Sequence, residues 1–191
     1  MRLSRSTNAY MKKLVPKHPR TDEFVAQGLY AVNSFKELEA KISALETKNE
    51  RGAAFEVFAE AFLVTQEGID PDNLWPQGKI PLPVQENLGL PRNDFGIDSV
   101  YLNQTQEYDA CQCKFRTGRP TLGWEELATF VALASSDKFQ NKVLFTNCED
   151  VVPILRDRVV RSQSRISNRC PRQVSVHLIS SLRSMGAGRA M

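Results

Sequence analysis

The chain has 191 residues, 41% of them hydrophobic and 25% charged, with a net charge of +3, which suits one soluble domain with a sizeable core. No apolar run approaches the roughly 18 residues of a membrane-spanning helix, so an integral helical membrane protein is excluded. The four cysteines, Cys111, Cys113, Cys148 and Cys170, lack the gaps and matched pairs of a zinc site and read as free thiols of a reducing compartment.

Residues 1–20 carry Arg2, Arg5, Lys12, Lys13, Lys17 and Arg20 with no acid, the composition of a basic arm or of a transit peptide. Pro16 and Pro19 oppose helix there. The expected organisation is a basic arm over 1–33, a folded domain over 34–180 and a tail over 181–191. The stretch 33–66 is the strongest helical signal. Ser34 with Glu37 makes a capping box, and Phe35, Leu38, Ile42 and Leu45 keep helical spacing. A break near Lys48–Asn49 introduces a second helix with Phe55, Phe58, Ala59, Phe62 and Leu63 as its apolar stripe. Residues 67–96 are rich in Gly, Pro and Asn, with a short strand predicted at 79–84. Strands follow at 96–103 and 107–115, joined by a hairpin-like turn. Residues 121–136 read as a helix turning Leu122, Leu127, Phe130, Val131 and Ala134 inward. A strand at 141–147, a helix over 150–163 and a strand at 173–180, carrying a structural His177, complete the series. Antiparallel strands followed by α-β units imply an α/β fold, a mixed sheet with helices on both sides.

The charge is unevenly spread. From residue 151 onward there are eight arginines, no lysine and one acid, Asp157, so that segment is +7 and residues 1–150 sum to −4. Such a segment is either a phosphate-binding surface or a solvated helix face.

The stretch "YDACQCKFR" (108–116) places a lysine inside a run that otherwise reads as a buried strand, where its charge is costly unless used. Strand side chains alternate, so Ala110, Gln112 and Lys114 share one face, while Cys111, Cys113 and Phe115 share the other and point into a core. If this strand pairs with the preceding one, Asp98 lies near Gln112 and Lys114. A carboxylate, an amide oxygen and an ammonium then converge at one end of the sheet. A hard divalent cation such as Mg²⁺ takes oxygen ligands of this kind: Asp98, the Gln112 side chain and the Cys113 carbonyl. Lys114 can then orient or deprotonate a water, or stabilise charge on a phosphate. Glu56, on the earlier helix, is the further acid in reach. Each residue also has a structural reading. Lys114 can snorkel, Asp98 and Asp94 can hold turns, Glu56 can be a solvated helix acid, and Trp124 and Phe130 read as core. Arg116 and Arg119 follow the lysine in a Gly/Pro loop, suited to phosphate contacts.

Four pieces, "RGAAFE" (51–56), "DFGID" (94–98), "QCK" (112–114) and "LFTN" (144–147), occur in an order that resembles the PD-(D/E)XK nuclease superfamily. The likeness is to its Mrr-type restriction endonuclease branch, in which glutamine replaces the first acid of the tripeptide. It covers about residues 34–150. The stretch "QCKFRTG…LGWEELATFVALA" also resembles nuclease domains at the N-terminus of large helicase-type proteins, which implies a helicase-type domain in the same or a partner protein. The resemblance implies a restriction-endonuclease-like fold, a mixed central sheet flanked by helices. It also implies Mg²⁺-dependent hydrolysis of DNA phosphodiesters, with Mn²⁺ able to substitute. In it Asp98 is the metal ligand, Gln112 the weaker ligand, Lys114 the catalytic lysine and Glu56 the helix acid. Arg116, Arg119, Arg161 and Arg165 would hold the DNA backbone, a homodimer on DNA is expected, and the compartment is cytoplasmic or another reducing, DNA-containing one. One departure matters. Glutamine is uncharged, so the cation is held less tightly, and the alternative is an inactive nuclease fold that binds nucleic acid or a protein partner.

Overall fold

The structure, a computed structural model, describes residues 16–91, 96–156 and 158–161, the last two through their backbone in the final strand. Asp94, Arg165, Cys170, His177 and the strand expected at 173–180 lie outside the described residues, as does the side chain of Arg161. The chain forms two compact units that meet in sequence at Asp72 and Asn73.

Among the described residues the first unit holds three helices, α1 (Thr21–Ala26), α2 (Phe35–Ser43) and α3 (Lys48–Gln66). Ser34 Oγ accepts the Glu37 N–H at 3.2 Å, and the Glu37 carboxylate accepts the Asn33 N–H at 2.8 Å. The α2–α3 break falls slightly earlier than Lys48–Asn49. Thr47 caps α3 in a full capping box with Glu50, which satisfies N–H groups that the helix leaves unpaired. Leu38 and Ile42 of α2 are buried, and Phe35 packs on Phe58 of α3 with ring centroids 5.5 Å apart. Residues 21–33, assigned to the arm from charge, are folded. Phe24, Leu29, Tyr30 and Val32 are buried, and the Tyr30 hydroxyl donates to the Ala54 carbonyl at 2.8 Å. Four apolar side chains within nine positions outweigh the nearby basic charge.

Among the described residues the second unit has a five-stranded sheet in the order β1-β2-β3-β4-β5. Its strands are β1 (Leu74–Pro76), β2 (Ser99–Leu102), β3 (Tyr108–Lys114), β4 (Asn141–Thr146) and β5 (Val160–Arg161), with helices α4 (Leu82–Leu88), α5 (Ala128–Leu133) and α6 (Pro153–Arg156). The first three strands pair antiparallel, and β3-β4 and β4-β5 pair parallel. The strand expected at 79–84 is instead the start of α4. Pro81 precedes this helix and Pro83 sits in its first turn, where a missing N–H costs nothing. The helix stops at Gly89, whose φ of +66° is left-handed. Among the described strands β1 (Leu74–Pro76) forms one edge of the sheet and β5 the other.

The helix expected over 121–136 is shortened to α5. Leu122 forms an isolated bridge with Val151: its N–H donates to the Asp150 carbonyl, and its carbonyl accepts the Val152 N–H, each at 3.0 Å. That pairing holds the backbone extended just where the helix was expected to begin. The helix over 150–163 is likewise reduced to α6, because Val160 pairs with Val143 at the sheet edge and β-branched residues suit a pleat.

The core of this unit joins Val100, Ala110 and Leu144 of the sheet to Leu127, Phe130 and Val131 around α5 and Leu155 of α6. Ala110 therefore faces a core, and Gln112, two positions on, is buried beside Asp98. Cys111 and Phe115, on the other face of β3, are buried too, as befits a central strand with a parallel neighbour. Among the described residues no helix is long and apolar enough to cross a membrane.

Candidate active site

Asp98 stands immediately before β2 and is fixed by its backbone. Its N–H donates to the Cys111 carbonyl at 2.9 Å, and its carbonyl accepts the Gln77 N–H at 2.7 Å. Gly96, two residues earlier, has a φ of +72°. A Cβ at that position would meet Thr129 Cγ2 at 3.4 Å and Gln112 Oε1 at 3.8 Å, so the left-handed turn that delivers Asp98 calls for glycine.

The Asp98 carboxylate meets β3 directly. Its Oδ2 accepts the Gln112 side-chain amide at 2.5 Å and the Cys113 backbone N–H at 2.6 Å. Gln112 is only 4% exposed, and with its nitrogen given to Asp98 its oxygen remains the acceptor end. The second carboxylate oxygen of Asp98 lies on the same group. Two positions on, Lys114 is half-buried at the strand's last residue, on the same face as Gln112 by strand alternation. Its carbonyl accepts the hydroxyl of Thr146, its register partner on β4, at 2.7 Å.

The chain leaving β3 is clamped. Asn147 Oδ1 accepts the Arg116 N–H at 2.8 Å and Asn147 Nδ2 donates to the Arg116 carbonyl at 2.9 Å, a reciprocal pair made by a side chain 3% exposed. The Arg116 guanidinium donates through Nε at 2.8 Å, and through Nη2, to Glu126 Oε1, and Glu126 Oε2 accepts the Gly123 N–H at 3.3 Å. Burial pushes the Glu126 carboxyl up, but the Arg116 and Gly123 hydrogen bonds and the charges of Arg116 and Lys114 together hold it below its ordinary value. Arg116 is thus committed to an ion pair, which reduces the charge it can offer a phosphate. Arg119 is half-buried at a φ of +52° in the turn that follows.

Glu56 belongs to the first unit, on α3, where its Oε2 lies 3.2 Å from His18 Nε2. Glu60, one turn further on, is buried. Its Oε2 accepts the Lys17 N–H at 2.7 Å, and burial pushes its carboxyl up to about 7. Asp109, at the opposite end of β3 from Lys114, is absorbed structurally: its Oδ1 accepts Asn103 Nδ2, Asn141 N and Asn141 Nδ2. Cys111 and Cys148 are buried free thiols and Cys113 is a half-buried one.

Sequence reasoning gave no role to Asn147 and placed Trp124 in the core. The signal for Asn147 was available, since a polar residue ending the apolar run "VLFTN" must be hydrogen-bonded if buried. Trp124 is exposed, whereas Phe130 is core, because the extended backbone at Leu122 removes the helical frame that would have turned the indole inward.

Among the described residues no three His, Cys, Asp or Glu side chains converge as a metal cage. The groups that meet the Asp98 carboxylate include the Gln112 amide nitrogen and the Cys113 N–H, and the carboxylate itself is a hard oxygen donor of the kind a divalent cation takes.

An antiparallel hairpin passing into parallel β3-β4, with an aspartate before one strand and Q-x-K ending the next, defines a nuclease-type domain of the PD-(D/E)XK class. Residues 82–169 match the family model of an Mrr-type catalytic domain described as a restriction endonuclease, and that segment is a restriction endonuclease-like domain of this superfamily. No curated protein and no solved structure matches the chain.

Proposed function

We propose that the protein is a divalent-metal-dependent DNA endonuclease that hydrolyses phosphodiester bonds at the C-terminal end of β3. The observation that carries this reading is the contact of Asp98 with Gln112 and the Cys113 amide, two residues from Lys114. Asp98, the Gln112 amide oxygen and the Cys113 carbonyl are the groups that would hold the cation. A bound divalent cation supplies Lewis acidity toward a phosphate oxygen and lowers the pKa of water at neutral pH. Gln112 orients Asp98 through its amide. Lys114 places a positive charge where negative charge grows on the phosphate, and through its N–H groups it positions the attacking water. Arg119, Arg161 and Arg165 are assigned to backbone phosphates, and Arg116 to the clamp and, more weakly, to phosphate.

The assay is cleavage of duplex, single-stranded and branched DNA with Mg²⁺ or Mn²⁺ and with the metal omitted. Asp98→Ala and Lys114→Ala each remove cleavage, by roughly a hundredfold or more, while most DNA affinity stays, because phosphate contacts elsewhere supply it. Equal cleavage by the unaltered chain and both variants ends the reading. A second reading, a nuclease fold used only for binding, is favoured by one observation: Asp98 Oδ2 is already occupied by two protein donors. Bound Mn²⁺ with no cleavage of any of these DNA forms would support it.

A further inference from the structure

Trp124 is 39% exposed, and the Arg158 guanidinium carbon lies 5.9 Å from its ring centroid, within cation–π range. A lone exposed apolar side chain needs no explanation, but the placement of this one does. Trp124 lies between Gly123 and Glu126, and Glu126 binds both Gly123 and Arg116. The segment is thereby tied to the residue two past Lys114, and the Lys114 charge acts on Glu126 itself. The exposed indole is therefore anchored at the end of the strand that carries the proposed chemistry, with a guanidinium over it from the turn after α6.

We propose that Trp124 and Arg158 form a stacking platform for an unpaired nucleobase of the DNA substrate, beside the phosphate to be cut. The inference rests on the nuclease reading and deepens it by naming the substrate form. Every base offers a π-face to an indole whatever its sequence, and a guanidinium at the ring can take the phosphate of the same nucleotide. In a duplex those faces are already stacked on neighbouring bases and become available only by unpairing. The platform therefore selects single strands, frayed ends or flaps.

Trp75 and Trp124 are the only tryptophans, so Trp75→Phe in the full chain makes Trp124 the sole indole reporter. In buffer with a chelator, which prevents cleavage, a short oligothymidylate quenches the Trp124 fluorescence. An abasic deoxyribose-phosphate strand of equal length and a blunt hairpin duplex do not. Trp124→Ala weakens oligothymidylate binding by about tenfold and leaves abasic-strand binding unchanged, and Trp124→Phe restores most of the loss. Equal quenching by the abasic strand or the duplex overturns the proposal. So does unchanged oligothymidylate affinity in Trp124→Ala. A chain that cleaves DNA without base-dependent quenching refutes the platform alone. Quenching without cleavage upholds the platform and refutes the catalytic reading.

Discussion

Replacing Gln112 by glutamate gives the sharpest test of the Asp98 contact. In the native protein the Gln112 amide donates to Asp98 Oδ2 at 2.5 Å. Gln112→Glu puts a second carboxyl there. Two full negative charges about 3 Å apart repel by about 5–6 kcal/mol at an effective dielectric near 20. Keeping a proton on one of them at pH 7 costs less, about 1.4 kcal/mol for each pH unit above the usual glutamate value, or about 3.7 kcal/mol. Protonation therefore wins, and the protonated carboxyl replaces the lost amide donor. The pair then binds a proton in the folded state with a raised pKa, as carboxylate pairs do. A raised value means that stability is complete below the unfolded pKa and is lost as pH rises through the folded one. Relative to the native chain, the variant is about 1 kcal/mol less stable at pH 5 and about 3–4 kcal/mol less stable at pH 7. Millimolar Mg²⁺ reverses the deficit at pH 7, since a ligand that binds only the folded state stabilises it. Urea unfolding at pH 5 and 7, with and without Mg²⁺, measures all four quantities. A deficit that depends on neither pH nor Mg²⁺ would show that the two side chains do not share a site.

Two further outcomes follow from buried polar groups. Glu60, whose carboxyl burial raises to about 7 from an ordinary value of 4.5, favours the folded state in its neutral form, and this contribution disappears as pH rises through 7. Glu60→Gln keeps an acceptor for the Lys17 N–H, so it gains on the native chain between about pH 4.5 and 7, reaching at most about 3 kcal/mol at pH 8; denaturant midpoints that differ equally at pH 5 and pH 8 contradict this. Asn147→Ala leaves the Arg116 N–H and carbonyl without their partners and costs about 2–3 kcal/mol of unfolding free energy, with faster amide hydrogen exchange around 115–119; unchanged stability and exchange would remove the clamp from the account.

The helices and central strands were legible because their signals are local. Ser34 and Glu37 announced α2, the phenylalanine stripe announced α3, and alternation in "YDACQCK" announced β3. The meeting of Asp98 with Gln112 was also legible, since hairpin pairing and side-chain alternation together leave few registers. Most of what escaped was decided by partners distant in sequence. Leu122 reads as the start of a helix until Val151 pairs with it. Residues 79–84 look like a strand until Pro81 and Pro83 are seen to fit a helix's first turn. Arg116 looks like a phosphate ligand until Glu126 takes its guanidinium. The Leu122 and Arg116 cases depend on contacts beyond any short window of neighbours, whereas the 79–84 case turns on local proline placement.

The same contacts set the charge of the site, and that bears on how it would work. Arg116 and Glu126 cancel each other, Gln112 is neutral, and Asp98 and Lys114 carry opposite charges. The end of β3 is thus close to neutral, where an acid at 112 would make it negative. A neutral site attracts a divalent cation weakly by itself. Once a cation is present, however, the local charge is more positive than in the acidic form of the motif, and its pull on a phosphodiester is stronger. Mg²⁺ is commonly held by one or two carboxylates together with substrate phosphates. With one carboxylate on β2's approach and none at the Lys114 end of β3, the substrate phosphate has to complete the set. On the proposed reading, cation and DNA bind with strong mutual dependence, because each supplies the charge that the other lacks.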